Sequence, residues 1–161
     1  MLVPAPAPAE APAGAAKESA EAVASGQALA VLRMERGIRS CANSRRRAAG
    51  VRQLAVGAAL GNAARLHAQK MAKGGFFSHT DPQGRGPAKR IALFAGPGTF
   101  SATGENIAAG LPSPGATCSS WMSRSAHRAN ILNPAFTHVG GGFAFGGFYG
   151  RYYVLTLGRV N

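Results

Sequence analysis

Residues 76–82 read FFSHTDP, residues 104–108 read GENIA, and residues 127–132 read HRANIL. Each of these three stretches sets one titratable side chain (His79, Glu105 or His127) among apolar residues that can anchor it to a core. The first stretch also runs into a Pro- and Gly-rich turn, which can hold an imidazole at the edge of a core. We therefore predict that the two histidines and the glutamate line a single cleft.

Acidic side chains are scarce in this chain, and their scarcity narrows the chemistry of the site. The 161 residues include 18 Lys and Arg but only 6 Asp and Glu, which gives a net charge of +12. The six acids are Glu10, Glu18, Glu21, Glu35, Asp81 and Glu105. Any carboxylate chemistry in the folded part must therefore use Asp81 or Glu105. Glu35 is a third candidate, but the sequence favours it less than the other two.

Glu105 follows a glycine in an otherwise apolar segment, so a buried carboxylate there needs a partner. An imidazole is the obvious candidate. A site built from His79, Glu105 and His127 could bind Zn²⁺ with an open coordination position, or it could carry out acid–base chemistry. The spacings are long and there is no His-Glu-x-x-His helix, so both alternatives stay open. Nothing resembles the Gly-x-Ser-x-Gly turn of a serine hydrolase.

The chain divides by composition into a tail and one domain. Residues 1–26 are rich in Ala and Pro, so we predict a disordered spacer, with a single domain over residues 27–161. The tail contributes −2 to the net charge of +12, so residues 27–161 carry +14. That charge favours anionic partners, namely envelope polymers, lipid headgroups or nucleic acid. No apolar run reaches the roughly 20 residues of a membrane span, and no signal segment is visible.

Periodicity and turn residues predict an alternation of helices and strands. We expect helices over 27–49, 57–73, 87–94, 113–123 and 126–132, and extended segments over 100–109, 139–145 and 152–157. A break at Gly37 is allowed within the first helix. The pattern is typical of an α+β layered domain.

Several residues have an ordinary structural interpretation. Cys41 and Cys118 could form one disulfide between two helices or remain two buried thiols. The run 45–47, which is three arginines, is predicted to be a solvated helix face, and His67 a surface or hydrogen-bonded histidine. The run 140–142, which is three glycines, predicts a thin strand that permits close approach of another backbone.

Taken together and in this order, the motifs resemble the CAP/SCP superfamily of cysteine-rich secretory, antigen 5 and pathogenesis-related proteins, in its bacterial branch. The positions that carry the resemblance are Asn43, Ser44, Arg45, Arg46, Gly50, Leu54, Leu60, Ala64, His67, Ala68, Met71, 76–82, Gly84, Arg90, 104–108, Trp121, Met122, 127–132, Tyr152 and Tyr153. The resemblance implies a three-layer α-β-α sandwich with a small antiparallel sheet. It also implies a cleft that in several members binds a divalent metal such as zinc.

By motif, the metal ligands implied by the resemblance are His79, His127 and Glu105. Animal and plant members usually carry a second acid three residues after the tryptophan, and Arg124 stands at that position here. The resemblance also implies that bacterial members commonly lack this acid and often carry Ser there. If the Arg124 side chain reaches the cleft, it repels a cation and favours an anionic ligand. If it points outward, it only adds to the basic surface. Asp81 is the candidate to replace the missing acid.

These observations lead to two main hypotheses. The first is a secreted or envelope-associated binding module, expected to be monomeric, whose basic surface contacts anionic envelope polymers or lipid headgroups. The second is a zinc-dependent hydrolase in which His79 and His127 hold Zn²⁺ and Glu105 acts as base. We assign no activity, because the family has no agreed one. Specific nucleic-acid binding through residues 45–47 lacks a supporting fold.

Overall fold

The computed structural model describes the backbone of residues 13–161 and the side chains of Lys17 and of residues 21–161. Its elements are α1 (Ala13–Ala48), β1 (Ala55–Val56), α2 (Ala58–Gly74), α3 (Pro87–Ala95), β2 (Phe100–Ala109), α4 (Pro114–Ser123), α5 (Ser125–Leu132), β3 (His138–Gly146) and β4 (Gly150–Val160). Among the described residues, those from Ala13 to Ala30 form one unit and Val31–Asn161 form a second. No helix in the described part of the chain is long and apolar enough to span a bilayer.

The second unit contains a four-stranded mixed sheet in the order β1-β3-β4-β2. Strand β4 pairs antiparallel with both β3 and β2, and Gly104–Ala109 run opposite Tyr152–Leu157 without a break in register. Strand β1 adds a short parallel edge through the pairs Ala55–His138 and Val56–Val139. The α+β class is therefore confirmed, and the sheet is antiparallel except for a two-residue strand that the sequence did not predict.

Helices cover both faces of this sheet, and alternate residues of β4 show how. Tyr152 and Val154 pack on one face with Ala64, Ala68 and Met71 of α2. On the opposite face the core contains Ile38, Ala42, Trp121, Ile131, Phe143, Tyr153, Leu155 and Leu157. These residues come from α1, α4, α5 and the two central strands, so the predicted α-β-α sandwich is confirmed.

The three glycines of β3 let helices approach the sheet backbone on both sides. A Cβ on Gly140 would lie 2.2 Å from the Leu60 carbonyl carbon, and one on Gly142 would lie 2.1 Å from that of Ala64. On the other face, a Cβ on Gly141 would lie 2.6 Å from the Glu35 carbonyl oxygen. The prediction of a thin strand that permits close backbone approach is confirmed, because no larger residue fits at these positions.

Helix α1 is continuous and starts earlier than the sequence predicted. A Cβ on Gly37 would lie 2.7 Å from the Pro114 side chain, so this glycine allows close packing of α1 against α4. The helix runs through Gly37 without the break that the sequence allowed. It also begins at Ala13, so part of the expected disordered tail is helical; Ala and Glu are abundant there and no Pro interrupts residues 13–48. Residues 1–12 lie outside the described residues, and the division at residue 26 stays a prediction.

The arginine run 45–47 was predicted to be a solvated helix face, and for Arg46 this is wrong. Its side chain is fully buried and donates hydrogen bonds to four backbone carbonyls. The acceptors are the oxygens of Arg52 (2.7 Å), Ile131 (2.8 Å), Asn133 (2.8 Å) and Phe136 (3.3 Å). Arg46 therefore fixes the loops that follow α1 and α5, and burial lowers its pKa from the ordinary arginine value.

Candidate functional site

His79 and His127 line the same cavity, which has a volume of about 560 Å³. The loop after α2 carries His79, and α5 carries His127. The other lining residues are Phe77, Ser78, Ile107, Ala108, Ala109, Leu111, Ser120, Trp121, Arg124 and Tyr149. The cavity therefore combines two imidazoles and one guanidinium with an apolar floor and an aromatic wall.

Glu105 orients His79 from below this cavity. The His79 Nδ1 lies 2.9 Å from Glu105 Oε1, and the glutamate side chain is only 1% exposed. A carboxylate accepts hydrogen bonds, so the proton of a neutral His79 lies on Nδ1 and its Nε2 is left free. Half of the His79 side chain is exposed, so this nitrogen is available to a ligand.

The second carboxylate oxygen of Glu105 is also taken. Arg90, from α3, donates from its guanidinium to Glu105 Oε2 in an ion pair in which both side chains are buried. The other terminal nitrogen of the Arg90 guanidinium donates to the carbonyls of His79 (2.7 Å) and Arg85 (2.6 Å). Glu105 does not line the cavity of the two histidines, but with His79 it borders a second one of about 500 Å³.

His67 supports the same loop from α2. It is fully buried, and its Nε2 lies 2.8 Å from the carbonyl oxygen of Ser78, the residue before His79. Its Nδ1 has no hydrogen-bond partner within the described residues. Burial is the main cause that lowers the pKa of His67 below 6.5. The prediction that His67 is hydrogen-bonded is confirmed for its Nε2. The sequence did not indicate that His67 supports the loop that carries His79.

His127 is fixed by amide side chains that join α5 to β2. Asn106 donates to the His127 carbonyl at 3.0 Å, and Asn130 donates to Asn106 Oδ1 at 2.9 Å and to the Glu105 carbonyl at 3.2 Å. The His127 Nδ1 is buried without a partner in the described structure. Burial is the main cause that lowers the pKa of His127, followed by the positive charge of Arg124.

Arg124 joins α4 to α5 and lines the cavity of the two histidines. From the sequence alone this side chain could lie in the cleft or outside it, and in the structure it lies on the cleft wall. A cation therefore stands on the cleft wall, at the position where the resemblance implies a second acid in animal and plant members.

Asp81 does not take the place of that acid, because it lines neither cavity. It is 3% exposed and accepts hydrogen bonds from Lys70 Nζ at 3.0 Å and from Arg85 Nε at 2.9 Å. Burial alone would raise its pKa, but these partners and the Arg85 backbone N–H hold the pKa well below the usual range. Asp81 is therefore a structural residue of the turn, contrary to its predicted place in the cleft.

The donor set does not fit a three-ligand zinc centre. Among the described residues, no three His, Cys, Asp or Glu side chains are grouped as metal ligands. The cavity offers imidazoles from His79 and His127, whereas both oxygens of Glu105 are engaged and Arg124 adds positive charge. Catalytic zinc sites keep three protein ligands and an open position. Two imidazoles alone would leave half of the four positions of a tetrahedral zinc to water or to a ligand.

Cys41 of α1 and Cys118 of α4 are joined by a disulfide, with their Cα atoms 6.3 Å apart. Trp121, three residues after Cys118, lines the cavity and donates from Nε1 to the Ile107 carbonyl at 3.1 Å. The sequence left a bridge and two free thiols open. In the structure the disulfide links the cleft wall formed by α4 to the longest helix.

A sandwich with this fold is found in SCP domains of known structure. The profile described as CAP: Cysteine-rich secretory protein family matches residues 40–157. The uncharacterized protein YkwD of Bacillus subtilis (strain 168) is 33% identical over 113 residues, which cover 70% of this chain and 43% of YkwD. The chain belongs to the CAP family, in its bacterial branch, and the resemblance drawn from the sequence is confirmed.

Solved structures show the same fold. An extracellular SCP-domain protein of Bacillus anthracis str. Ames superposes with a TM-score of 0.71 at 27% identity, over 80% of this chain and 41% of that protein. An outer surface protein of Borrelia burgdorferi has a TM-score of 0.70 at 20% identity, over 76% of this chain and 90% of that one. The chain thus spans less than half of YkwD and of the anthracis protein.

Proposed function

We propose that this chain is a secreted or envelope-associated CAP module whose cleft binds an anionic group of envelope material. One observation carries the proposal: Arg124 lines the cavity of His79 and His127, while both oxygens of Glu105 are engaged by His79 and Arg90. The ligand therefore meets one fixed cation and two imidazoles but no free carboxylate. A phosphate or carboxylate group complements such a set through charge-assisted hydrogen bonds.

The location is supported by the relatives and by the cysteines. The similar structures are described as an extracellular protein and an outer surface protein. A disulfide such as Cys41–Cys118 persists in an oxidising compartment and is rare in the cytosol. Both observations favour a position outside the cell membrane.

The surface charge of residues 31–161 supports an anionic partner. The three acids of this unit, Glu35, Asp81 and Glu105, are 1%, 3% and 5% exposed. Each is paired with a basic side chain: Glu35 with Arg65, Asp81 with Lys70 and Arg85, and Glu105 with Arg90. Within residues 31–161 the exposed charged side chains are therefore all basic, and an approaching polyanion meets no like-charged side chain.

A titration with a soluble poly(glycerol phosphate) tests the cleft against the general basic surface. Arg124→Ser is compared with Arg159→Ser, which removes the same charge from an exposed arginine at the far end of β4. A charge-assisted hydrogen bond contributes about 1.5–3 kcal/mol, so we expect Arg124→Ser to weaken binding at least about tenfold. Arg159→Ser should change it less than about threefold, because exposed charges contribute little individually.

If Arg124→Ser and Arg159→Ser lose the same affinity for the polymer, binding in the cleft is rejected and only non-specific attraction to a basic surface is left. Binding that does not change between low and high salt would reject the electrostatic basis altogether. His127→Gln provides an independent check on the cleft, since it removes an imidazole of the cavity without changing the charge at neutral pH.

The alternative is a zinc-dependent hydrolase that uses the same cleft. The Glu105–His79 hydrogen bond supports it, because carboxylates commonly orient the imidazoles that bind metals. A zinc hydrolase also needs a third protein ligand, and no three His, Cys, Asp or Glu side chains are grouped as metal ligands among the described residues. The binding module is therefore the better supported of the two functions.

A further inference from the structure

The turn between β3 and β4 presents an exposed aromatic cluster. Phe148 is 90% exposed, and the neighbouring Tyr149 and Phe77 are 48% and 45% exposed. The ring of Tyr149 lies 5.1 Å from that of Phe148 and 6.0 Å from that of Phe77. These three residues, here called the aromatic rim, hold a continuous group of aromatic rings in contact with water, which is unfavourable without a partner.

The fold holds this turn in place. Gly147 has a left-handed backbone with φ of 62°, and a Cβ there would lie 2.6 Å from the Ala72 carbonyl oxygen of α2. The Gly150 N–H donates to the Gly147 carbonyl at 3.3 Å and closes the turn. Because the turn is seated against the end of α2, Phe148 projects outward as part of a defined surface.

The aromatic rim borders the cleft described above. Phe77 and Tyr149 line the cavity that also contains Arg124. Arg151 follows on the same hairpin and is exposed. The rim therefore combines projecting aromatic rings with nearby guanidinium groups, and residues 31–161 carry no exposed side-chain carboxylate.

We propose that the aromatic rim inserts into the interface of an anionic lipid bilayer and brings the mouth of the cleft to the headgroups. Aromatic rings favour the headgroup level of a membrane, and basic side chains beside them are attracted to anionic lipids. A soluble polyanion would use the arginines but would give Phe148 no apolar contact. The proposal rests on the anion-binding cleft and commits its partner to a lipid surface.

Partition of the full chain onto vesicles tests this proposal. Vesicles of phosphatidylcholine alone are compared with vesicles that also contain phosphatidylglycerol, and wild type should bind the second kind more tightly. Phe148→Ser removes an aromatic ring from the contact and should weaken partition at least about tenfold. Leu93→Ser removes a side chain that is 55% exposed on α3, and it should leave partition within about twofold of wild type. Equal effects of the two substitutions would overturn the proposal.

A second measurement follows insertion directly. The only tryptophan of the chain, Trp121, is 1% exposed, so an F148W variant adds an exposed fluorophore to a buried background. On phosphatidylglycerol vesicles, the added emission should shift to the blue and be quenched by lipids brominated near the headgroup. An L93W variant should show neither effect. If the F148W protein binds the vesicles and its added emission is not quenched, the aromatic rim does not insert into the bilayer.

The two proposals can fail separately. If the chain binds poly(glycerol phosphate) through Arg124 but does not bind vesicles, insertion of the aromatic rim is overturned and anion binding by the cleft is supported. If vesicle binding depends on Phe148 but polymer binding does not depend on Arg124, anion binding by the cleft is overturned and insertion of the aromatic rim is still supported.

Discussion

Arg90 pairs with Glu105 through side chains that are each only 1% exposed. The pair leaves the glutamate one oxygen, which receives His79, so the carboxylate acts as a support for an imidazole. The sequence suggested Glu105 as a base or a metal ligand. In the structure, both of its carboxylate oxygens are instead occupied, one by His79 and the other by Arg90.

Arg90→Met should be strongly destabilising. It leaves the charge of Glu105 buried without its cation, and loss of one partner of a buried pair costs about 3–5 kcal/mol. Chemical denaturation measures the change in the free energy of unfolding. The double variant Arg90→Met/Glu105→Gln should be more stable than Arg90→Met alone, because it no longer buries an unpaired charge. If the double variant loses as much free energy of unfolding as Arg90→Met and Glu105→Gln lose together, the two residues act independently.

Arg124→Ser should affect zinc and anions in opposite directions. Removing a cation from the cavity should tighten binding of Zn²⁺ by roughly five- to tenfold and weaken binding of poly(glycerol phosphate). Calorimetric titrations of wild type and variant measure both. Zinc binding in the cavity would depend on both imidazoles, so His79→Ala and His127→Ala should each weaken whatever zinc binding the wild type shows. Equal zinc affinity in wild type and these two variants would show that the two histidines do not share a zinc site.

Gly142→Ala should be destabilising by about 3 kcal/mol or more, because the added methyl meets the backbone of Ala64 and cannot be accommodated by a rotamer change. Gly61→Ala is the matched control on α2, where a Cβ has nothing within 4 Å. It should stabilise the chain by about 0.5–1 kcal/mol through helix propensity. Thermal and urea unfolding compare the two, and similar effects of both substitutions would contradict the close approach of α2 to β3.

Reduction of the Cys41–Cys118 disulfide should lower the free energy of unfolding by about 4 kcal/mol, because the bridge closes a loop across a sequence separation of 77. Urea unfolding with and without reductant measures this. The double variant Cys41→Ser/Cys118→Ser should lose a similar amount and be insensitive to reductant. Wild-type stability that is the same in both conditions would mean that the bridge contributes nothing.

Acidification should destabilise the fold through His67. Its folded-state pKa lies below the ordinary 6.5, so its contribution to stability is complete above that pH and is lost as the pH falls toward the folded pKa. One histidine gives a slope of at most about 1.4 kcal/mol per pH unit. His67→Gln should reduce this slope between pH 7 and pH 5, whereas Asp81 should not contribute to it, because its pKa is held low. An unchanged slope would exclude His67 as the cause.

Local signals in the sequence predicted most of the elements. The helix predicted from residue 113 is capped by Ser113, which accepts from the Ala116 N–H, and Pro114 follows as its first residue. The helix predicted to end at residue 73 is stopped by Gly75, which has a left-handed conformation. Strand β2 occupies the predicted residues 100–109. Each of these features depends on residues only a few positions apart.

Features that depend on distant residues escaped prediction. Strand β1 has only two residues, both exposed, so it has no periodicity to detect. Arg46 reaches carbonyls 85 to 90 positions away, and its burial depends on loops that no local pattern describes. The role of Arg90 was missed in the same way, although a buried Glu105 required a partner that could have been an arginine as well as a histidine.

The inward pairing of every acid in residues 31–161 also affects how copies of this domain meet one another. Two such surfaces offer each other only positively charged side chains, so this unit has no exposed side-chain carboxylate with which a second copy could form a salt bridge. Crowding on a shared anionic scaffold would therefore be opposed by mutual repulsion at low salt. Neighbouring domains on such a scaffold would keep apart, and a dense coat would form only where the scaffold supplies enough negative charge to offset the repulsion between them.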